Sequence, residues 1–181
     1  PRILDKVRQI LGSDVYIHHG RINIKHAYKG KSFPWHSDFE TWHCEDGLPR
    51  CRCLSAWVML SDNTQFNGPL YLIKGSHKKF ISCAGETPLD NYKQSLKKQE
   101  YGVPSLEAIQ SLTTPDDLVA ALGEEGTMVI HDGNILHGSS DNISPYDRTN
   151  VFYVFNSVEN TPLKPFRASK PRADFLALKD F

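Results

Sequence analysis

The sequence has no excess of charge of either sign. Its 21 Lys and Arg residues balance 21 Asp and Glu residues, so the formal net charge is zero at pH 7. Proteins that bind nucleic acids neutralise phosphates with a surplus of basic side chains. The balance therefore argues against a nucleic-acid partner.

Long apolar runs are also missing. The longest ones have the length of a β-strand, whereas a transmembrane helix needs about 20 consecutive apolar residues. The first residues do not have the pattern of a secretory signal peptide either. We therefore expect no membrane partner.

Cysteine is scarce, because the 181 residues include only Cys44, Cys51, Cys53 and Cys83. Disulfide frameworks belong to shorter, cysteine-rich secreted chains. Structural zinc sites usually open with a C-x-x-C pair, which these cysteines do not form. We expect reduced, packed thiols in a cytoplasmic protein.

A length of 181 residues fits one domain with a substantial core, so we expect residues 1–181 to form a single domain. Apolar residues from Ile3 to Leu11 recur at helical spacing and predict an amphipathic helix that ends at Gly12. After it, short runs rich in β-branched and aromatic residues alternate with turn signals, which favours a barrel or sandwich. The predicted strands are residues 21–25, 54–60, 69–73, 127–130 and 151–155.

The stretch from about residue 90 to residue 123 differs from its surroundings. It is polar and rich in lysine at first, and it becomes helix-like from Asp116 to Leu122. Thr114 and Pro115 mark the start of this helix, because Pro is favoured in the first turn. We predict an insertion between two sets of strands, with a lid as the alternative.

His36 and Asp38 form an H-x-D pair. In a strand, residues i and i+2 point to the same face, so the pair aims an imidazole and a carboxylate at one point. His137, after the strand at 127–130 and its turn, is the third candidate ligand. Two His and one carboxylate form the facial triad of non-haem iron(II) oxygenases. A zinc hydrolase, or a His and an Asp that bind no metal, remain alternatives.

Arg148 follows His137 across the turn at 142–147 and is predicted to begin the next strand, beside the one near His137. An Arg there can form a two-pronged bond to a carboxylate. A zinc hydrolase has no evident need for it, whereas 2-oxoglutarate, which chelates iron at one end, needs an anchor at the other. The order of these residues therefore favours a 2-oxoglutarate-dependent oxygenase. A surface Arg paired with Asp147 is the alternative.

Longer motifs lead to one enzyme family. From Arg21 onward the chain resembles ectoine hydroxylases, which belong to the phytanoyl-CoA dioxygenase family, and the run around His36 is the most specific part of the likeness. The matching segments are FPWHSDFETWH (33–43), EDG (45–47), NGPL (67–70), GSHK (75–78), YKQSLKKQE (92–100), HGS (137–139), RTNVF (148–152) and NSV (156–158).

The resemblance implies a mainly β fold, a double-stranded β-helix (a jelly-roll, cupin-like barrel) with a few flanking helices. It implies iron(II), with 2-oxoglutarate and oxygen as co-substrates, and hydroxylation of a small zwitterionic metabolite, first of all ectoine to 5-hydroxyectoine. Another amino-acid-like or natural-product substrate, or a non-catalytic metal- or ligand-binding barrel, are the alternatives. It also implies a homodimer, and the family's N-terminal portion is missing from this chain.

The resemblance assigns roles residue by residue. The implied iron ligands are His36, Asp38 and His137. The implied co-substrate contacts are Arg148, Asn23, Ser139 and Trp57. The implied substrate-pocket residues are Phe33, Trp42, His19, His131, Asn150 and Phe152.

Three of these positions depart from the family pattern. His19 stands where ectoine hydroxylases have a Gln that contacts substrate, and His131 stands where they have a pocket Phe. Trp57 replaces a small hydroxyl residue near the co-substrate. Imidazoles can donate or accept a hydrogen bond or titrate near neutral pH, so His19 and His131 are expected to influence substrate choice, with a structural role as the alternative.

Overall fold

The computed structural model of the protein describes residues 2–82, 87 and 102–178. Its strands form two four-stranded antiparallel sheets, sheet A in the order β1-β8-β3-β6 and sheet B in the order β2-β7-β4-β5. Except for β4 and β5, which are both in sheet B, consecutive strands alternate between the two sheets, which confirms the predicted double-stranded β-helix. The strands are β1 (Val15–Lys25), β2 (Phe33–His36), β3 (Cys53–Met59), β4 (Leu70–Ile73), β5 (Leu118–Ala120), β6 (Met128–Asp132), β7 (His137–Ser139) and β8 (Arg148–Ser157).

Few helices flank the sheets. Among the described residues they are α1 (Leu4–Leu11), α2 (Asp38–Thr41), a π-helix (Trp42–Asp46), α3 (Leu106–Leu112) and two 3₁₀ turns (Ser76–Lys78 and Pro115–Asp117). The N-terminal helix is confirmed, and it ends at Gly12, whose left-handed φ of 64° and N–H bond to the Arg8 carbonyl are typical of a helix C-terminus. In the described ranges, no helix combines the length and the apolar character that a membrane crossing requires.

Strand β3 is buried along almost its whole length because both of its faces are covered. Leu54 and Ala56 pack with Val7 of α1 on one side. Trp57 and Met59 pack on the other side with Leu70, Leu72, Ala121 and Phe152 between the two sheets. The run of apolar residues at 54–60 therefore belongs to a central strand, as predicted.

The predicted helix from Asp116 to Leu122 is wrong. Its expected start is present, since Thr114 caps a short 3₁₀ turn with Pro115 in the first position. The chain then extends as β5 and pairs with β4, so that Leu72 lies opposite Val119. Pairing with a sheet edge outweighed the weak local helix preference here. This part of the predicted insertion is thus a strand of sheet B, and residues 90–101 of the insertion lie outside the described residues.

The cysteines are free thiols where the structure describes them. Cys44 and Cys53 are buried, as predicted, but Cys51 is exposed, so the prediction of packed thiols is wrong for it. Its side chain follows the turn before β3 and donates to the Asp132 carboxylate at 3.4 Å. Cys83 lies outside the described residues.

Gly47 ends the π-helix in a conformation that a side chain would disturb. Its φ is 82°, and a Cβ atom built on it would lie 2.0 Å from the carbonyl oxygen of Leu163. Gly47→Ala is therefore expected to lower the free energy of unfolding by about 3 kcal/mol, from backbone strain plus a backbone clash. Chemical denaturation of the two proteins measures this difference.

Gly126→Ala is the matched control for that substitution. Gly126 has a similar φ of 87°, but a Cβ atom there would meet nothing within 4 Å. Gly126→Ala should lower the free energy of unfolding only by the cost of placing Ala in the left-handed conformation, about 1 kcal/mol. Equal losses in the two variants would show that the Leu163 carbonyl moves aside without cost.

Candidate active site

A cavity of about 510 Å³ lies inside the barrel. Strands of both sheets line it, and the C-terminal segment closes one side with Arg172, Phe175 and Leu176. The cavity wall also includes the three predicted metal ligands and Arg148. The residues that the sequence placed in one site therefore do face one cavity.

The metal ligands converge at this wall. His36 Nε2 lies 3.6 Å from one Asp38 oxygen, and His137 Nε2 lies 3.7 Å from the other. One ligand atom from each residue falls within 4.8 Å of the other two. His36 and His137 stand opposite each other in the β2–β7 pair, which brings together residues that are distant in the sequence. This arrangement matches a facial triad.

The backbone supports this triad differently from the prediction. His36 is the last residue of β2, but Asp38 is the first residue of α2, so the pair does not share one strand. The carboxylate reaches the imidazoles from the start of a helix because the chain turns at Ser37, which has an extended φ of −106°. The convergence is confirmed, and its explanation by strand alternation is wrong.

Backbone carbonyls fix the orientation of both imidazoles. His36 Nδ1 donates to the Pro34 carbonyl at 2.8 Å, and His137 Nδ1 donates to the Ile135 carbonyl at 3.1 Å. A proton on Nδ1 leaves each Nε2 as a lone pair directed at the metal position. The donor set, two imidazole nitrogens and a carboxylate, thus fits iron(II).

Electrostatics keep Asp38 and His137 in the protonation states that a metal needs. Burial lowers the pKa of His137 to about 3, and the neighbouring His36 adds to this effect. Burial by itself would raise the pKa of the Asp38 carboxyl, but the His137 and His36 imidazoles hold it below its usual range. The carboxylate is therefore charged and His137 is neutral at pH 7.

Arg148 also lines the cavity. It begins β8, which belongs to sheet A, whereas His137 begins β7 in sheet B, so the prediction that their strands are neighbours is wrong. Its Nη2 donates to Asn23 at 3.0 Å, and the Asn150 amide oxygen accepts from its Nη1 at 2.7 Å. The alternative pairing with Asp147 does not occur, because that carboxylate binds His26 and the Ala27 N–H.

One nitrogen of the Arg148 guanidinium lacks a hydrogen-bond partner among the described residues. Its Nε is buried and has no hydrogen-bond partner in the described part of the chain. Buried polar atoms in proteins normally are hydrogen-bonded. Burial and the nearby Arg21 lower the pKa of Arg148 to about 10, so the side chain is still a cation at pH 7. An anionic ligand in the cavity would satisfy both the charge and the free donor.

Five of the six predicted pocket residues line the cavity, and all five are aromatic or imidazole side chains. Phe33, Trp42, Phe152, His19 and His131 all line the cavity. The Phe33 ring lies 4.7 Å from the His36 ring, and Arg21 stands 5.4 Å from the centre of the Phe152 ring. The wall is thus aromatic next to the metal ligands.

Asn150 and Trp57 lie behind this wall. Asn150 is fully buried and does not line the cavity, but its amide contacts Arg148. Trp57 stacks on Phe152 at a centroid distance of 5.2 Å, and its Nε1 lacks a hydrogen-bond partner among the described residues. The direct contacts of Asn150 with substrate and of Trp57 with co-substrate stay predictions.

The two unusual imidazoles are held by backbone carbonyls. His19 follows a β-bulge in β1 and bonds through Nδ1 to the Leu176 carbonyl at 2.5 Å. His131 bonds through Nδ1 to the Asp132 carbonyl at 3.0 Å, and its ring lies 5.2 Å from that of His137. Burial lowers the pKa of both, that of His19 to about 4, so both are neutral at pH 7.

Sequence reasoning missed several polar residues of the cavity. Glu45 and Arg172 line it, and burial raises the pKa of the Glu45 carboxyl to about 7. Arg172 binds Asp46 through two nitrogens, and Asp46 also accepts from His18 Nε2 at 2.9 Å. The EDG motif signalled the acids, but no local pattern marked an Arg so distant in sequence.

Lys25 was missed as well. It was read as the last residue of an alternating strand, but its side chain turns into the cavity wall. Its Nζ donates to the Ser139 hydroxyl at 2.8 Å, so the predicted co-substrate residue Ser139 contacts a buried cation.

Comparison with known proteins agrees with the sequence motifs that resemble ectoine hydroxylases. The sequence profile described as Phytanoyl-CoA dioxygenase (PhyH) matches residues 1–150. The ectoine dioxygenase of Bordetella bronchiseptica is 54% identical over 179 residues, which are 99% of this chain and 58% of that protein. That of Sphingopyxis alaskensis is 52% identical over 176 residues, 97% of this chain and 58% of that protein.

Solved structures give the same result. The crystal structure of EctD from S. alaskensis with 2-oxoglutarate and 5-hydroxyectoine has a TM-score of 0.85 and 45% identity, covering 98% of this chain and 56% of that one. Its structure with bound Fe has a TM-score of 0.82 and 41% identity, covering 99% and 57%. The chain thus spans somewhat over half the length of these relatives. By its sequence profile, its relatives and its fold, the chain belongs to the phytanoyl-CoA dioxygenase family.

Proposed function

We propose that the full-length protein is an iron(II)- and 2-oxoglutarate-dependent dioxygenase that hydroxylates ectoine to 5-hydroxyectoine. One observation carries this proposal: the triad of His36, Asp38 and His137 shares a cavity with Arg148, a buried cation whose Nε lacks a partner among the described residues. A metal and an anionic co-substrate together account for both features.

The reaction consumes ectoine, oxygen and 2-oxoglutarate and yields 5-hydroxyectoine, succinate and carbon dioxide. Iron(II) supplies the activation of oxygen when it is bound to the triad. The protein would hold it through the two Nε2 atoms that the Pro34 and Ile135 carbonyls orient. Arg148 would bind the far carboxylate of 2-oxoglutarate, with Asn23 and Asn150 keeping the guanidinium in place.

The cavity also suits a small zwitterion. Phe33, Trp42 and Phe152 offer aromatic faces, which attract a charge-delocalised ring such as the amidinium of ectoine. The wall also carries the Glu45 carboxyl, which is partly ionised at pH 7, and the Arg21 guanidinium. The relatives that are about half identical to this chain are ectoine dioxygenases, which supports the same substrate.

His19 and His131 favour a second candidate, another amino-acid-like or natural-product substrate of the same chemistry. Both line the cavity, and both keep Nδ1 on a backbone carbonyl, which leaves Nε2 as a neutral acceptor. A substrate with an additional N–H or O–H donor would use these acceptors. Ectoine itself would meet them in place of a Gln and a Phe.

We also propose a cytoplasmic homodimer. The free thiols of Cys44, Cys51 and Cys53 agree with a reducing compartment. The dimer is proposed from the resemblance to the family.

The test is succinate release by the full-length protein with iron(II), 2-oxoglutarate and air, with and without ectoine, and mass spectrometry of the ectoine. We expect ectoine to stimulate succinate release, with one oxygen gained per succinate formed. Slow succinate release that ignores ectoine would support the second candidate. No succinate under any condition would favour a non-catalytic barrel.

A further inference from the structure

Two cysteines at the start of β3 lie in opposite environments. Cys51 lies at a bend before the strand and is exposed, whereas Cys53 is the first residue of the strand and is buried. Only Arg52 separates them, and residues two apart in an extended chain have Cα atoms about 6.5 Å apart. A disulfide can span that distance. The thiols also interact, since a hydrogen bond with Cys51, together with burial, raises the pKa of Cys53.

Both thiols contact the turn that β6 enters at Asp132. Cys51 Sγ donates to the Asp132 carboxylate at 3.4 Å, and the same oxygen accepts from the Asn134 N–H at 2.8 Å. The Cys53 sulfur packs against Gly133, because a Cβ atom on that glycine would lie 2.7 Å from Cys53 Sγ. The Gly133 N–H also donates to the Cys53 carbonyl at 3.1 Å. The position of this turn therefore depends on both cysteines.

The same turn supports the segment that carries the metal-binding carboxylate. The Gly133 carbonyl accepts from the Phe39 N–H at 2.9 Å, and Asn134 Oδ1 accepts from the Ser37 hydroxyl at 3.1 Å. Ser37 and Phe39 are the chain neighbours of Asp38. A displacement of the turn would thus act on both sides of this ligand.

We propose that Cys51 and Cys53 form a peroxide-sensitive pair, whose oxidation to a disulfide loosens the metal site. Cys51, the exposed thiol, reacts first. Its sulfur attacks one oxygen of hydrogen peroxide, the O–O bond breaks, and a sulfenic acid and water form. The Cys53 sulfur then displaces hydroxide from the Cys51 sulfur and gives up its proton, so that a disulfide and a second water result. Two thiols are oxidised and one peroxide is reduced.

The disulfide is incompatible with the contacts that the two thiols make now. Both are free, and a sulfur–sulfur bond of about 2.05 Å would draw at least one of them away from the turn. Cys51 would also lose the S–H that the Asp132 carboxylate accepts. Loss of a group that orients a metal ligand typically weakens metal binding by about tenfold or more. We expect a fall of about tenfold in iron(II) affinity, a consequence that rests on the proposed function.

Such a disulfide would be reversible. Disulfides of reducing compartments are usually transient and redox-sensing. A small thiol reductant would restore both cysteines by thiol–disulfide exchange, which the exposed position of Cys51 permits.

Peptide mapping tests whether the disulfide forms. The full-length protein is reduced, freed of metal so that iron(II) cannot react with the peroxide, treated with hydrogen peroxide, and then alkylated and digested with trypsin. Trypsin cuts after Arg52, so Cys51 and Cys53 fall into separate peptides that only a disulfide holds together. We expect these two peptides to remain joined until dithiothreitol is added. Cys51 found as a sulfinic acid, or bonded to a second molecule, with no joined pair would overturn the inference.

Calorimetric titration with iron(II), without oxygen, tests the effect on the metal site. Peroxide treatment should weaken iron(II) binding by the wild-type protein about tenfold, and reduction followed by removal of the reductant should restore it. Cys51→Ser keeps a hydroxyl that can donate to Asp132 but cannot form the disulfide. Peroxide should change its iron(II) affinity by less than about twofold.

Cys44→Ala is the matched control, because Cys44 is a buried free thiol of the π-helix. It should respond to peroxide as the wild-type protein does. Joined peptides with an unchanged iron(II) affinity, or a loss of affinity that persists in Cys51→Ser, would contradict the proposed link to the metal site. Reduced wild-type protein that binds no iron(II) would overturn the proposed function and this link with it, while the peptide map still decides whether the two thiols pair.

Discussion

Asp38→Ala is expected to abolish metal-dependent decarboxylation of 2-oxoglutarate, a loss of about a thousandfold or more. The carboxylate is the only charged ligand of the triad, and its two oxygens lie 3.6 and 3.7 Å from the Nε2 atoms of His36 and His137. Without it, two neutral imidazoles remain, which hold a divalent cation weakly. Succinate release and the iron content of the purified variant measure both consequences.

His36→Ala and His137→Ala should have the same effect. His26→Ala is the control, because His26 is an exposed imidazole that pairs with Asp147 away from the cavity. It should retain iron and activity. Full activity of Asp38→Ala would contradict the assignment of the metal site, whatever the other variants do.

Arg148→Ala should chiefly raise the 2-oxoglutarate concentration that the enzyme requires, by about a hundredfold. The substitution removes a buried guanidinium and leaves the amides of Asn23 and Asn150 without their shared partner. The triad is untouched, so the rate at saturating co-substrate should change much less. Initial rates of succinate release over a wide range of 2-oxoglutarate concentrations separate the two effects.

Arg8→Ala serves as the control for Arg148→Ala. Arg8 is a half-exposed residue of α1 that pairs with Asp14 at 3.1 Å. It should leave the 2-oxoglutarate requirement unchanged. An unchanged requirement in Arg148→Ala itself would mean that a different cation anchors the carboxylate.

The metal ligands and Arg148 were predictable because short sequence motifs contain them. H-x-D, a distal His and an Arg at the start of a strand are each visible in the sequence, and family resemblance connects them. Several of the strands were also predictable, since runs such as 54–60 and 151–155 have the composition of buried strands. Each of these signals is contained in a few consecutive residues.

What could not be predicted depends on pairing between distant segments. Leu118–Ala120 became a strand because the edge of β4 was available to it. Lys25 had the pattern of a strand end, and only the packing of Gly30 and Gly68 around it shows where its side chain goes. Arg172 reaches the cavity through its bonds to Asp46, which no local spacing encodes.

The strand order bears on how such enzymes diverge. His19 and His131, the two imidazoles that depart from the family pattern, lie on β1 and β6, the outermost strands of sheet A. Arg148 and His137 lie on inner strands, each bonded to neighbours on both sides. A substitution on an outer strand disturbs one ladder of hydrogen bonds, whereas one on an inner strand disturbs two. Within sheet A, positions 19 and 131 can therefore be substituted with less disturbance of the strand pairing than position 148.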